Sequence, residues 1–288
     1  MAGATDYTAS NILNYITGQI TVPALPSVWI GLFTTAPTSD LATTGATEVS
    51  GGSYARVQAA GQLAASSAST TIITFGAVPA WVQPGMSVRD VTTPANVPAA
   101  TTVSSVTATT VTCNNTVSGV GTDTIRFSAF TPPVASSGAE PATVAELVQN
   151  GSIVTFPQAT ASWGTAVAFG LFDAATSVNC LAWDWLGNFK WIPFSCTNAS
   201  PGVLTVVAHG YTNGDPVVVS AKYGGVLPTT AGSWAGALTV ASTTTDTFTA
   251  GVNTTSTGDG LVRKILQQPI AINVTASFAA ATLVISNA

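Results

Sequence analysis

Two aspartates, Asp173 and Asp184, have the side chains that a catalytic carboxylate pair requires. Such a pair cleaves glycosidic bonds, with one carboxyl group as the acid and the other as the nucleophile or base. Each aspartate also has a structural interpretation, because Asp173 follows a predicted strand and Asp184 lies on one face of a predicted hairpin. We favour the structural roles, since neither residue lies in a recognisable catalytic setting.

The other polar residues with catalytic potential are isolated from one another. The single histidine, His209, lies in "AHGYTNGD", where Gly and Asn are typical of a loop, and Asp215 and Asp246 fall in predicted turns without a ligand cluster. No GxSxG, GxGxxG, Walker-type or HExxH motif occurs. We therefore predict a protein that is not an enzyme, with no catalytic, cofactor-binding or metal-binding residues and no cofactor.

The three cysteines, Cys113, Cys180 and Cys196, are an odd number and have no CxxC spacing. We expect reduced, mostly buried thiols. A disulfide between Cys180 and Cys196 is left open by the sequence.

The charge content is low, at 7% of 288 residues against about 25% in an ordinary soluble protein. A surface with few charges is tolerated when much of it is covered in an assembly. The seven basic residues are scattered, which argues against nucleic-acid binding. No apolar run approaches the roughly 20 residues of a membrane span, and the N-terminus lacks a secretory signal. We expect synthesis in a cytoplasm.

Residues 5–18 read as the one clear helix, with caps at Thr5 and Asp6 and an apolar stripe of Leu13, Ile16 and Ile20. A weaker helix is predicted at residues 141–149. Short Thr-rich strands between Gly, Pro and Asn turns follow, so the fold class is mainly β.

Two regions resemble each other, residues 83–112 and residues 212–249. Each has a Gly turn, a strand, a Pro-containing loop, a strand, a Thr-rich turn and a further strand. We interpret them as parts of two small β-modules, Ig-like or small barrels, at residues 67–128 and 198–263. The remainder, residues 1–66, 129–197 and 264–288, is predicted to form a β-sandwich-like base domain.

An ion pair is predicted from "TEVSGGSYAR", in which Tyr54 and Arg56 fall on one strand face. Arg56 can lie along an aromatic ring and reach a carboxylate such as that of Glu48. The pair is either internal to the base domain or a contact with a neighbouring subunit.

An aromatic hairpin is predicted at residues 180–196, turning at Gly187 and Asn188. One face is expected to be core, and the other carries Phe189 and Trp191. Exposed aromatic side chains mark interfaces. A stacked-sugar site is the competing interpretation, although polar side chains to read sugar hydroxyls are few.

The quoted motifs resemble a family of tailed-bacteriophage virion proteins, often labelled tail-fibre or minor structural proteins. The similarity lies in residues 29–37 ("WIGLFTTAP"), 48–56 ("EVSGGSYAR") and 156–174, which includes "ASWGTAVAFGLFD". The stretch "HGYTNGDPVVVS" at residues 209–220 is typical of the β-modules of such proteins. The resemblance implies a structural role in the virion, with capsid or tail proteins as partners, and no catalytic residues.

Two virion roles are compatible with the resemblance. Capsid decoration is favoured over a tail fibre or tail-tip adhesin, because the chain has no long repetitive shaft, and a glycan-cleaving tail enzyme ranks last. The low charge and the aromatic residues predict a homo-oligomer, most simply a trimer. The helix stripe, Tyr54, Arg56, Phe189 and Trp191 are candidate interface residues, whereas Trp234 lies in a predicted exposed loop of the second module.

Overall fold

The structure, a computed structural model, describes residues 3–19, 27–37, 45–130, 147–176, 179–187, 191–222 and 226–286. These residues form a mainly β molecule with one α-helix near the N-terminus and several antiparallel sheets, as the sequence predicts. The helices are α1 (Asp6–Ile16) and a 3-10 turn (Pro94–Asn96). Neither has the length and the apolar character needed to cross a bilayer.

The strands are β1 (Gly3–Ala4), β2 (Val28–Thr35), β3 (Thr47–Glu48), β4 (Val57–Ser69), β5 (Ile72–Phe75), β6 (Ser87–Asp90), β7 (Val103–Val106), β8 (Thr110–Cys113), β9 (Thr124–Ser128), β10 (Leu147–Gln149), β11 (Val154–Gln158), β12 (Gly164–Ala166), β13 (Ala168–Phe172), β14 (Cys180–Trp185), β15 (Ile192–Cys196), β16 (Val203–Thr205), β17 (Pro216–Ser220), β18 (Leu238–Thr239), β19 (Thr247–Thr249), β20 (Gly258–Lys264), β21 (Gln268–Ile270), β22 (Thr275–Phe278) and β23 (Val284–Ser286).

The central strand of the base is β2, which lies in the order β1-β14-β13-β2 and also pairs with β3 and β4. Its sequence "VWIGLF" is continuously apolar because both of its faces are covered. Ile30 and Leu32 enter one hydrophobic core, and Phe33 enters a smaller second core on the opposite face. Strand β2 is therefore covered on both faces.

A second layer of the base consists of two chain segments that run antiparallel to each other. Residues 147–166 pair with residues 268–286 through β10–β23, β11–β22 and β12–β21. Phe156 and Phe278 from this layer share the main core with Ile30. The C-terminal strands complete the base as expected, and their partners are the strands of residues 147–166.

The first β-module closes into a ring of six strands, which we call barrel 1 (residues 57–128). Pairing runs from β7 through β8, β5, β4 and β9 to β6. A bridge between Ser87 and Thr102 joins β6 to the start of β7 and closes the ring. Each strand therefore has a paired strand on both sides around the ring, which removes most of the free edges that an open sheet would have.

The second module, barrel 2 (residues 192–264), repeats this arrangement. Its strand order is β18-β17-β20-β15-β16-β19, and a bridge between Ala241 and Thr249 closes the ring. Strands β15 to β20 correspond one by one to β4 to β9 and have the same neighbours within the ring, although β4 also pairs with β2 of the base. The repeat inferred from residues 83–112 and 212–249 thus extends to whole barrels, and the small-barrel alternative fits better than an Ig-like one.

The two barrels differ in their connection to the base. Barrel 2 has a core of its own, whereas Val88 and Phe127 of barrel 1 share one continuous core with the base. Strand β4 runs through the boundary predicted at residue 66, and β15 lies before the boundary predicted at residue 197. The division into a base domain and two modules stays a prediction.

The aromatic hairpin predicted at residues 180–196 does not form. Strands β14 and β15 lie in different sheets, because β1 and β13 occupy both edges of β14 and β15 pairs with β16 and β20. The structure requires a glycine at residue 187 for a reason other than a hairpin turn. Its φ is +122°, and a Cβ there would lie 2.4 Å from the Leu266 nitrogen. Asn188 and Phe189 lie outside the described residues.

The second predicted helix also fails where it can be checked. Residues 147–149 form strand β10, paired with β23. The rest of the predicted helix, residues 141–146, lies outside the described residues.

Candidate functional site

Helix α1 is attached to the base by polar contacts at its N-terminal end. Thr5 caps the helix, as predicted, and its hydroxyl donates to the carbonyl of Cys180. The Thr8 hydroxyl donates to the carbonyl of Leu181 at 2.7 Å, and the Tyr7 hydroxyl donates to Asp173 at 3.5 Å. The helix is therefore held at the β14 edge of the sheet without packing its apolar side chains on it.

The apolar face of α1 is open to solvent. No residue of the helix is buried, and Leu13 and Ile16 are 61% and 70% exposed. Ile12 and Tyr15 are also exposed and extend the same face. The base sheet does not cover the helix stripe, because polar contacts set the orientation of the helix. Burial of Leu13 and Ile16 against a neighbouring subunit stays a prediction. Ile20, the third residue of the predicted stripe, lies outside the described residues.

A charged network joins β3 to the segment before β4. Arg56 donates to both carboxylate oxygens of Glu48 at 2.8 and 2.7 Å, and its guanidinium lies 3.3 Å from the ring centre of Phe172. The Tyr54 hydroxyl donates to Glu48 at 2.9 Å and accepts from the Leu32 backbone nitrogen. The internal ion pair is therefore present, with Phe172 as the aromatic partner. Burial, then the charge of Glu48, raises the pKa of Tyr54.

This network depends on a glycine in the central strand. A Cβ at Gly31 would lie 2.7 Å from Glu48 Oε1 and 2.9 Å from the Phe172 ring. The Glu48 carboxylate can therefore reach over β2 only because residue 31 has no side chain. Arg56 is 9% exposed in its side chain, so it offers little surface to a neighbouring subunit.

Trp191 and Trp234 are both half-buried. Trp191 stacks against Arg263, whose guanidinium lies 4.7 Å from its ring centre. Trp234 packs on the core of barrel 2, next to Phe194, and its indole donates to the Pro228 carbonyl at 2.8 Å. The loop residues beside Trp234 are exposed, whereas its indole ring is held against the barrel.

The two aspartates considered for catalysis are held apart and engaged elsewhere. Asp184 is 0% exposed and forms an ion pair with Arg263. It lies opposite Phe169, and Asp173 is four residues further along the chain from Phe169, or about 13 Å for extended backbone. Glycosidase carboxylates lie about 5–9.5 Å apart. The structural roles that we favoured for both residues fit this arrangement.

The remaining polar candidates have local partners. His209 is buried, accepts a hydrogen bond from the Tyr211 backbone nitrogen, and packs on Tyr211 and Phe248. Asp246 caps the turn at Ala208. Among the described residues, no group of three or more His, Cys, Asp or Glu side chains could hold a metal ion.

All three cysteines are free and buried, as expected for reduced thiols. Burial raises the pKa of Cys113 to about 11 and that of Cys180 to about 12. Cys180 and Cys196 lie in different sheets, because the hairpin that would have brought them together does not form.

Sequence reasoning missed the ion pairs that join distant segments. Arg263 pairs with Asp184 across the junction between base and barrel 2, and Lys264 pairs with Asp215 at 2.7 Å. The one hint of such pairs in the sequence is the low charge content of the chain, because a charge that is buried needs an oppositely charged partner. The partner's identity could not be read from the sequence, since Asp184 and Arg263 are 79 positions apart.

Two small barrels on a base with an uncovered apolar helix are the features of a protein that assembles with a partner, because exposed apolar surfaces mark interaction sites. A family model described as "Podophage GP4 fiber I protein gp80" matches residues 3–102 and 80–193. The match covers more than half of the chain, so the chain belongs to this family. It is a structural component of a bacteriophage virion, as the resemblance implied, and it associates with other virion proteins. No curated protein and no solved structure shows significant similarity to the chain.

Proposed function

We propose that the chain is a non-enzymatic fibre subunit of the virion that assembles as a homo-oligomer, with α1 and the base at the docking side and the barrels projecting. The docking side is the base domain of residues 1–66, 129–197 and 264–288. The projecting modules are residues 67–128 and 198–263. The uncovered apolar face of α1 carries the proposal.

The helix gives two reasons to expect a partner on this face. Isolated helices shorter than about 12–15 residues are marginal in water, and α1 has 11 residues and no buried side chain. Its exposed side chains are also large, which is unusual for a surface that remains in contact with water. A second copy, or another virion protein, would remove both difficulties.

The free energy available from covering this face is substantial. Ile12, Leu13 and Ile16 are 51%, 61% and 70% exposed. Full burial of such a side chain contributes about 1.5–3 kcal/mol, so covering these exposed fractions contributes about 3–5 kcal/mol per helix. Three copies around a three-fold axis would bury three such faces in one closed interface, which favours a trimer.

A non-enzymatic role is supported by the engagement of the polar residues. Asp184, His209 and Asp215 each make hydrogen bonds or ion pairs inside the fold. Asp173 accepts from Asn179 at 2.9 Å, at the end of β13.

Different observations support a tail position and a capsid position in the virion. The family description names a fibre protein, which supports a tail fibre or tail-tip position. Capsid decoration is the second candidate, because the described residues form a compact base and two barrels, without a long repetitive shaft. A cryo-electron-microscopy map of the virion, into which the two barrels are fitted, distinguishes a capsid position from a tail position.

The docking face is tested by charge substitution on α1. Leu13→Asp and Ile16→Asp should abolish oligomerisation in analytical ultracentrifugation and incorporation into particles, because a carboxylate would be buried without a partner. Asn14→Asp is the matched control, with the same charge on the opposite side of the same helix. Trp234→Phe should leave incorporation unchanged. Normal incorporation of both stripe variants, or failure of the Trp234 variant to be incorporated, would show that the docking and projecting sides have been assigned the wrong way round.

A further inference from the structure

Two arginines lie side by side on the outer wall of barrel 1. Arg89 of β6 is directly opposite Arg126 of β9, and side chains so placed have Cβ atoms about 4.5–5.5 Å apart. Both point away from the core, because Val88, Ile125 and Phe127, their neighbours along the strands, are buried. Arg89 is exposed and Arg126 is half-buried.

This pair is unfavourable to the isolated fold. Like charges directly opposite on neighbouring strands are destabilising. Burial, and the positive charge of Arg89, lower the pKa of Arg126. Arg89 makes no hydrogen bond or ion pair with any described residue. Arg56, Lys222, Arg263 and Lys264, by contrast, each pair with a carboxylate.

The surrounding wall is polar and lacks acidic groups. Gln62 of β4 lies opposite Arg126 on its other side, and Ser87 and Ser128 form the adjacent cross-strand pair. Asp90, next to Arg89 in the chain, is 0% exposed and accepts from backbone nitrogens of the following turn. Among the described outward positions of β4, β6 and β9, none carries a carboxylate or a large apolar side chain.

The barrel fold itself does not require two arginines side by side. When the barrels are aligned on the glycine turns that precede β6 and β17, Arg89 corresponds to Val218 and Arg126 corresponds to Arg263. The same ring of strands therefore closes with a single arginine at this place, and Arg263 pairs with the buried Asp184. The arginine pair is a property of barrel 1 alone and calls for a different explanation.

We propose that Arg89 and Arg126 form a binding site for an oxyanion, such as a carboxylate or a sulfate, carried by an acidic polysaccharide. Guanidinium groups bind planar oxyanions through paired hydrogen bonds. The amide of Gln62 and the neighbouring hydroxyls can contact sugar hydroxyls beside the anion. A protein partner fits less well, because protein interfaces have an apolar centre and this wall has none. The inference rests on the proposed function, in which barrel 1 projects from the virion.

Three dextrans with a common backbone test the site on the full chain. We expect carboxymethyl-dextran or dextran sulfate to bind in isothermal titration calorimetry at low salt, and neutral dextran not to bind. The net charge of −5 opposes non-specific binding of polyanions, so binding reports on a local site. Arg89→Gln and Arg126→Gln should each weaken binding about tenfold, the loss expected for a charged hydrogen bond. Lys222→Gln, which removes an exposed cation of barrel 2, is the matched control.

The outcomes separate this inference from the proposed function. Arg89→Gln should leave incorporation into particles normal, whereas the α1 variants should not. Binding of only one acidic dextran identifies the oxyanion. The proposal is overturned if neither acidic dextran binds, if Arg89→Gln binds as the wild type does, or if Lys222→Gln weakens binding equally. Loss of incorporation by Arg89→Gln without polysaccharide binding would reassign the wall to a protein partner. Circular dichroism checks the folding of Arg126→Gln, and the exposed Arg89 carries the test if that variant unfolds.

Discussion

The ion pair between Asp184 and Arg263 is predicted to hold barrel 2 on the base. Asp184 belongs to β14 of the base sheet and Arg263 to β20 of barrel 2, and their side chains are 0% and 1% exposed. Next to the pair, the chain enters and leaves the barrel, where the Leu266 nitrogen donates to the Leu186 carbonyl at 2.6 Å. Trp191 covers the guanidinium from the connecting segment. Loss of the arginine should therefore weaken the junction.

The magnitude follows from the burial of the pair. Arg263→Met keeps an unbranched side chain but leaves the Asp184 carboxylate buried without its cation. Breaking a buried pair in this way costs about 3–5 kcal/mol of the free energy of unfolding. Adding Asp184→Asn removes the buried charge and keeps an oxygen to accept from the Trp185 nitrogen. The double variant should regain most of the loss, because neutral replacements of a buried pair are often nearly neutral for stability.

Urea unfolding, followed by tryptophan fluorescence and circular dichroism, measures these differences. Lys222→Met is the matched control, since it breaks a pair with Asp259 in which both side chains are at least 40% exposed. Such an exposed pair contributes about 0–1 kcal/mol. The reasoning is refuted if Arg263→Met unfolds within about 1 kcal/mol of the Lys222 variant. It is also refuted if the double variant is no more stable than Arg263→Met alone.

Three further predictions concern other parts of the chain. Burial raises the pKa of Asp215, but hydrogen bonds from Lys264 and from a backbone nitrogen outweigh it and hold the pKa below its usual range. The wild type should therefore be more stable than Asp215→Asn above about pH 4, and this advantage should be lost at lower pH. An advantage that grows on acidification, as measured by thermal unfolding, would contradict this. Cys113 and Cys180, with raised pKa values, should react with a thiol reagent at pH 8 only after unfolding, and rapid labelling of the native protein would show that the thiols are accessible. A chain in which a short linker replaces residues 192–264, with Asp184→Asn, should still unfold cooperatively because barrel 2 has its own core, and loss of cooperative unfolding would show that the two cores depend on each other.

The sequence predicted the features that depend on neighbours along the chain. Thr5 caps α1 as its side chain and position indicate, and "VWIGLF" forms a strand buried on both faces. The pairing of Glu48 with Arg56 spans eight positions, so the spacing in the turn brings the two groups together. The repeated turn and strand composition indicated the second barrel as well. In each case the interaction is local, and residue type and spacing determine it.

Only the tertiary structure decided which distant surfaces meet. The hairpin expected at Gly187 is replaced by a crossing with Leu266, because both edges of β14 are already paired. The sequence left open what covers the helix stripe, and polar contacts from Thr5 and Thr8 turn it away from the sheet and towards solvent. Arg89 meets Arg126 through the register of β6 and β9, which no local pattern encodes. Sequence fixes the preference of each segment, whereas strand order and register depend on the competition of all segments for the same edges and cores.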